Sequence, residues 1–129
     1  MRRTDDAYLV SGLAATRSPA SGPGMRFTVR HATPRRWSWW LYGDDGTLLA
    51  WAGETFSTVR VAALAVLAFK LGSDCAEFEV VEVGEAQWSW CTRRPGDKVV
   101  SVGIRNTGRE DAERVVEYVR ANVRQASGP

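Results

Sequence analysis

The sequence predicts an α+β protein built as a tandem duplication of one strand-strand-strand-helix unit, with antiparallel sheets packed on helices. The first observation is an aromatic recurrence. Phe-Thr-Val at 27–29 lies ten residues before Trp-Ser-Trp at 37–39, and Phe-Glu-Val at 78–80 lies ten residues before Trp-Ser-Trp at 88–90. The second observation is that one offset of 51 relates all of these positions. Because tryptophan is rare, a chance recurrence with this spacing is improbable.

Removing one residue from the second hairpin loop extends the match through the following helix at an offset of 50. The aligned pairs are Gly53 with Gly103, Ser57 with Thr107, Ala62 with Ala112, Val66 with Val116, and Lys70 with Arg120. The predicted repeats are therefore residues 26–72 and 77–124. We expect residues 1–24 to be a flexible N-terminal segment and residues 125–129 to be a disordered tail.

In the first repeat, alternating apolar residues predict a strand over 27–31, and an aromatic-rich run predicts a second strand over 37–42. Asp-Asp-Gly at 44–46 is a hairpin-turn sequence, and a third strand is predicted over 47–52. Ser57 is then placed to cap a helix that ends near Leu71.

The second repeat follows the same order. Strands are predicted over 77–83, 87–92 and 98–104, with a Pro-Gly loop between the last two. Asn106 or Thr107 is predicted to cap the final helix, whose apolar residues fall on one face.

The helix of the first repeat differs because it is apolar on all sides, with Arg60 and Lys70 as its only charges from 59 to 71. Such a helix is buried on more than one side. It either lies centrally, between its own sheet and the second repeat, or pairs with another chain to form a symmetric homodimer. The sequence leaves both alternatives open, and we expect a homodimer.

The N-terminal segment lies outside the repeats. Its residues 18–24 have the composition of a flexible linker. Met25 precedes the first strand, so either translation starts there or residues 1–24 are disordered. The remaining alternative is a short docking segment in the apolar run 7–15.

Several residues carry a family resemblance. They are Phe27, Trp37, Trp39, Leu41, Gly46, Ala50, Ser57, Ala62 and Val66, followed by Phe78, Trp88, Trp90, Thr107, Ala112 and Val116. This pattern over about 26–124 resembles the YegP-like family of small bacterial and archaeal proteins of unknown function, often found as a tandem duplication. The second repeat departs from it at Val100 and Ser101, where the family has a small residue. The resemblance implies a fold and brings no catalytic residues.

Composition narrows the function classes. Lys and Arg number 17 against 15 Asp and Glu, a net charge of +2, which is low for a dedicated nucleic-acid coat. The longest apolar run, 61–69, is too short to cross a membrane. No export signal is recognisable, so we expect a cytoplasmic protein, and the Arg-rich, Ala-rich composition suggests a GC-rich bacterial or phage genome. Cys75 and Cys91 are predicted to be free thiols.

Catalytic chemistry has little support. His31 is the single histidine, and no nucleophile motif surrounds any serine. One histidine and two separated cysteines are too few for a zinc site, and Asp44 and Asp45 belong to a turn. We therefore expect no enzyme activity, no catalytic residue, no metal and no cofactor, but an interaction or accessory module with an unidentified partner.

The alternative function is weak nucleic-acid binding by the first repeat, which has six Arg and Lys against three acids. Strand alternation places Trp37, Trp39, Trp88 and Trp90 in the core against the helices and puts Trp40 and Tyr42 on the opposite face, exposed or at a seam between the repeats. The candidate contacts for a ligand or nucleic acid are Arg35, Arg36, Trp40, Tyr42, Arg93 and Arg94.

Overall fold

The computed structural model describes residues 24–94 and 98–128 and contains one six-stranded antiparallel sheet and two α-helices. The strands are β1 (Arg26–Thr33), β2 (Arg36–Tyr42), β3 (Leu48–Trp51), β4 (Glu77–Gly84), β5 (Gln87–Arg94) and β6 (Lys98–Gly103). The helices are α1 (Val59–Gly72) and α2 (Arg109–Asn122), and a short 3₁₀ turn (Val123–Gln125) follows α2. The α+β class predicted from the sequence is confirmed.

The strand order is β1-β2-β3-β6-β5-β4, so the two predicted sheets are one continuous sheet. The halves join where β3 pairs with β6, through Ala50 opposite Gly103 and Trp51 opposite Val102. Sequence patterns describe each strand and hairpin, but they do not say which strand edges meet. Pairing β3 with β6 removes two exposed edges, which would otherwise present unpaired backbone groups.

Corresponding irregularities occur in both halves of the sheet. The β1–β2 register shifts between His31 and Thr33, and the β4–β5 register shifts between Glu82 and Gly84, 51 residues later. The β2–β3 pairing and the β5–β6 pairing each contain a further register shift, which inserts one extra residue in β3 and one in β6. An isolated backbone bridge extends each half beyond these strands, Trp37 with Phe56 and Trp88 with Asn106.

Both helices pack against the same face of the sheet. From α1, Ala62, Val66 and Phe69 are buried, and from α2, Ala112, Val116 and Val119 are buried. The Phe69 ring stacks on Trp39 at 5.5 Å between centroids, while Trp90 stacks on Phe78 at 6.0 Å. Trp39 and Trp90 therefore lie in the core as predicted, whereas Trp37 and Trp88, nearer the strand ends, are only half-buried.

The helix caps differ from the sequence expectation. Thr58, not Ser57, is the N-cap of α1, with an extended backbone and a side-chain oxygen that accepts from Val61 N at 3.1 Å. Gly108 precedes α2 and makes no side-chain cap bond, so neither Asn106 nor Thr107 caps that helix. Asn106 instead pairs with Trp88 in the bridge. Ser57 and Thr58 have side chains that are equally suited to capping a helix. The one with the extended backbone, Thr58, becomes the N-cap.

The C-terminal tail is ordered over the described residues, contrary to the expectation for 125–129. Ala126 is buried in the main core. Phe27 N donates to Ser127 O at 2.9 Å, and Ser127 N donates to Met25 O at 3.0 Å. The tail thus forms an isolated bridge at the start of the outer edge of β1, next to Arg26. The predicted flexible segment 1–24 lies outside the described residues except for Gly24.

Candidate functional site

Strand topology gathers the predicted basic residues at one end of the sheet. Arg36 begins β2 and Arg94 ends β5, and these two strands point in opposite directions in the antiparallel order. Two strands, β3 and β6, lie between them, which corresponds to about 14 Å across the sheet. Arg35 lies in the turn just before β2. The structure therefore brings the two arginine pairs, distant in sequence, to the same end.

Two of these four arginines, Arg36 and Arg93, make contacts within the protein. Arg36 Nε donates to Thr55 Oγ1 at 3.0 Å, and its Nη2 donates to Thr55 O at 2.9 Å. Arg93 Nε forms an ion pair with Glu79 at 3.2 Å. Arg35 and Arg94 are exposed. Arg36 and Arg93 thus have structural contacts that a ligand would have to share or break.

Trp40 and Tyr42 lie on the sheet face opposite the helices, as alternation predicted, but both are only 1% exposed. They cluster with Leu48 and Trp51, which pair with them across β2 and β3. We call these four residues the aromatic face. Its Trp40 and Trp51 rings stack at 6.3 Å. The cluster reaches Val102 of β6, so it fits the alternative of a seam between the repeats. The other alternative, in which Trp40 and Tyr42 are exposed, is wrong.

Arg30 of β1 lies over the aromatic face and was not a predicted site residue. Its guanidinium carbon is 4.6 Å from the Trp40 ring centroid, and its Nη2 donates to Tyr42 Oη at 2.6 Å. Burial raises the pKa of Tyr42, and the positive charges of Arg30 and Arg26 oppose that rise. Strand parity could have found Arg30, because it falls on the same face as Trp40.

Three buried polar atoms on this face have no hydrogen-bond partner among the described residues: Thr28 Oγ1, Arg30 Nε and Trp40 Nε1. Thr28 is directly opposite Trp40 in the β1–β2 register. Unpartnered polar groups are costly when they are removed from water, commonly about 1–3 kcal/mol each. Within the described part of the chain, this buried face therefore keeps three polar atoms without a hydrogen bond.

The outer surface of α1 is the second candidate site. Leu64, Leu67 and Leu71 are 55%, 49% and 60% exposed and are spaced three and four residues apart, so they form one stripe along the helix. We call these three residues the leucine stripe. Val59 and Val61 are exposed beside it. The first alternative from the sequence, that α1 is enclosed between its own sheet and the second repeat, is wrong.

Potential reactive groups are scattered. The exposed His31 packs its ring on Trp37 at 3.8 Å between centroids. Cys75 and Cys91 are free thiols, and burial raises the pKa of Cys91. Within 24–94 and 98–128, no three His, Cys, Asp or Glu side chains are grouped to hold a metal ion. In the same part of the chain, no helix has the length and apolar character to cross a membrane.

Known structures share this architecture. The chain superimposes on the solution NMR structure of YegP from E. coli, a protein of unknown function, with a TM-score of 0.68, 10% identity and coverage of 84% of this chain and 93% of that one. A UPF0339 protein from Shewanella oneidensis gives 0.67 and 7% identity, with 78% and 86% covered. This is the YegP-like fold. The resemblance inferred from the sequence is thus confirmed for the fold. No protein-family profile matches the chain, and neither does any curated protein.

Proposed function

We propose that this chain is a non-catalytic interaction module on a tandemly duplicated, YegP-like scaffold, and that its leucine stripe binds a second copy of the chain. The observation that carries the proposal is the exposure of Leu64, Leu67 and Leu71 at 49–60% on one helix. Isolated apolar side chains are normal on a surface, but a continuous stripe is typical of a contact surface.

Two kinds of irregularity support the duplication, because a regular antiparallel strand pair needs neither of them. Register shifts at 31–33 and 82–84, and bridges at Trp37 and Trp88, recur at the offset of 51 seen in the sequence. Two unrelated hairpins have no physical reason to share both. The duplication matters for function because it makes α2 an internal reference for α1.

Comparison with α2 shows that the leucine stripe is specific to α1. At the offset of 50, Leu64 and Leu67 correspond to Arg114 and Glu117 of α2, which are both exposed. The same scaffold position is therefore polar in one helix and apolar in the other. Water contact explains the residues of α2, whereas the stripe on α1 requires a partner.

A second copy fits the stripe because opposite charges flank it, with Arg60 in the first turn of α1 and Asp74 two residues beyond its end. When two α1 helices pair antiparallel with Leu67 opposite Leu67, the first turn of one helix, with Arg60, lies beside the end of the other helix, which Asp74 follows. Asp74 also pairs with Arg124 of its own chain at 2.5 Å, and its side chain is 72% exposed. The charged pairs would then flank an apolar centre, as in other interfaces.

The expected dimer is weak. Burying a fully exposed Leu or Val contributes about 1.5–3 kcal/mol, so each half-exposed side chain contributes about 1 kcal/mol. The three side chains of the leucine stripe and the neighbouring Val59 and Val61 make five on each copy. Together, two copies gain about 10 kcal/mol, from which the loss of free motion on association subtracts at least about 4 kcal/mol. With side-chain ordering also subtracted, a dissociation constant of about 10 μM to 1 mM is expected.

Sedimentation equilibrium from about 5 μM to 1 mM tests this. The wild-type mass should rise from 14.2 kDa towards the dimer value with concentration. The double variant Leu64→Arg with Leu67→Glu, which gives α1 the residues of α2, should remain monomeric. Val83→Glu is the matched control, because Val83 is a 43% exposed residue on β4, away from the stripe. Its association should match that of the wild type.

A wild-type protein that stays monomeric at 1 mM would contradict the proposal. Equal loss of association in the Val83→Glu control would also contradict it, since the contact would then not be confined to α1. Far-UV circular dichroism of each variant establishes that the fold is intact.

One observation favours weak nucleic-acid binding as a second candidate: Arg35 and Arg94 are exposed at the same end of the sheet. Their contacts would be to phosphates, so binding should weaken steeply with salt. Fluorescence anisotropy with single- and double-stranded oligonucleotides at low salt measures it. Arg35→Ser with Arg94→Ser should abolish binding, while Arg114→Ser on α2 should not. Absence of binding at low salt removes this candidate.

A further inference from the structure

We infer that the groove between α1 and the sheet binds a free aromatic amino acid, with the ring in an apolar cavity and the two charged groups at the mouth. The cavity has a volume of about 270 Å³ and is lined by residues of α1, by Trp39 of β2 and by Val100 of β6. A small-molecule site goes beyond the interaction role proposed above, and it does not depend on self-association of the chain.

The walls of this cavity are apolar and partly aromatic. Trp39 and Phe69 are buried, and their rings stack at 5.5 Å between centroids, while the half-buried Phe56 forms another part of the wall. From α1, Ala65 and Ala68 border the cavity with small side chains that leave it open. Sites for drug-sized ligands have about 300–1,000 Å³ and similar walls. The smaller cavity seen here suits a molecule with one or two rings.

The second half of the fold contains a filled version of the same groove. At the offset of 50, Ala68 corresponds to Tyr118 of α2. The Tyr118 ring lies beside Gly43, where an added Cβ would be 3.7 Å from it, and the Tyr118 hydroxyl accepts a hydrogen bond from Asp44 N at 3.4 Å. Equivalent scaffold positions therefore hold an aromatic ring in one half and an open cavity in the other.

The correspondence extends across the junction of the two halves. At the offset of 51, Gly43 corresponds to Arg94 of β5, and Arg94 borders the cavity. A ring bound in the cavity would therefore lie beside Arg94 as the Tyr118 ring lies beside Gly43. Compared with its filled counterpart, the cavity lacks an aromatic side chain and gains a guanidinium group.

Two opposite charges stand at the cavity, those of Arg94 and Glu54. Both side chains are exposed, and within 24–94 and 98–128 neither forms an ion pair. A carboxylate of the ligand would pair with Arg94, but a ligand that carried only this charge would be repelled by Glu54. An aromatic amino acid has an ammonium group beside its carboxylate, so it complements both charges as well as the apolar walls.

The test is a titration of the ¹⁵N-labelled full-length chain with L-phenylalanine, followed through amide chemical shifts. A ligand of this size should bind with a dissociation constant of about 0.1–1 mM, and the shift changes should concentrate on Ala65, Ala68 and Val100. Phenylacetate lacks the ammonium group and phenethylamine lacks the carboxylate. Each should bind about two- to fivefold more weakly, because an exposed ion pair contributes little.

The variant Ala68→Tyr gives α1 the side chain that fills the groove in the second half, so it should abolish binding of L-phenylalanine. Ala63→Tyr is the matched control, because Ala63 is on α1 but outside the cavity, and its binding should match that of the wild type. Far-UV circular dichroism establishes that both variants are folded. Arg94→Gln, at an exposed position, should weaken binding of L-phenylalanine about two- to fivefold and leave that of phenethylamine unchanged.

Four results would overturn the inference: no shift changes with L-phenylalanine, changes located away from the cavity, undiminished binding by Ala68→Tyr, or equal affinity for phenylacetate. Leu67→Glu separates this site from the proposed dimer, because Leu67 belongs to the leucine stripe but does not line the cavity. This variant should bind L-phenylalanine as the wild type does, and loss of binding would refute a site formed by one chain.

Discussion

Replacing Gly103 with alanine should be one of the most costly single-methyl changes in this protein. Gly103 is in β6, and its missing side chain would point at Trp90 on the neighbouring strand β5. An added Cβ would lie 2.2 Å from Trp90 Nε1 and 2.4 Å from Trp90 Cδ1. Favourable contacts between such atoms are about 3.5–4 Å, so a gap of more than about 1 Å must open.

The surroundings leave the indole little room to move. Trp90 is fully buried and stacks on Phe78 at 6.0 Å between centroids. Gly103 is also held, because it pairs with Ala50 where the two halves of the sheet meet, and its carbonyl accepts a 2.8 Å bond from Ser89 Oγ. Overpacking typically costs about 1–3 kcal/mol. With both partners fixed, we expect the upper end, about 3 kcal/mol, and a melting temperature about 10 °C lower.

Urea unfolding followed by far-UV circular dichroism measures the change as a lower midpoint at an unchanged slope. Gly72→Ala at the end of α1 is the control, because nothing lies within 4 Å of its added Cβ. Removing a helical glycine should leave stability unchanged or raise it by up to about 1 kcal/mol.

A double-mutant cycle isolates the contact. In a Trp90→Leu background the indole edge is gone, so Gly103→Ala should cost less than about 1 kcal/mol, a coupling of about 2 kcal/mol. The reasoning is refuted if Gly103→Ala falls within about 0.5 kcal/mol of the Gly72→Ala control, or if its cost is the same in both backgrounds.

Two further predictions follow from single contacts. Thr58→Ala should lower the free energy of unfolding by about 1 kcal/mol, because Thr58 Oγ1 accepts from Val61 N at 3.1 Å; Ser57→Ala should have almost no effect in the same urea titration, and equal losses would contradict the cap assignment. Because burial raises the pKa of Tyr42, the native state keeps this proton after the unfolded chain has lost it. Its contribution to stability is therefore full below the unfolded value of about 10 and declines as pH rises through the folded value. Urea titrations between about pH 9 and 11 should show a shallower decline for Tyr42→Phe than for the wild type, and parallel curves would exclude the effect.

Local sequence patterns were sufficient for the elements of this fold. Period-two alternation placed Trp39 and Trp90 in the core, because neighbouring residues of a strand must point to opposite faces. The recurrence at offset 51 predicted matching strands and helices, since the same local preferences act wherever the same residues recur. Cap positions were less certain, because Ser57 and Thr58 have equivalent side chains for that role.

Contacts between distant segments could not be read in the same way. The β3–β6 pairing, the shared end of the sheet for Arg35 and Arg94, and the exposure of the leucine stripe each depend on where a whole element packs. Alternation assigned Trp40 to the second face of the sheet, but no period in a sequence states whether a face is covered by the chain or by water. Burial is a property of the assembled surface, whereas periodicity reports only the geometry of one strand or helix.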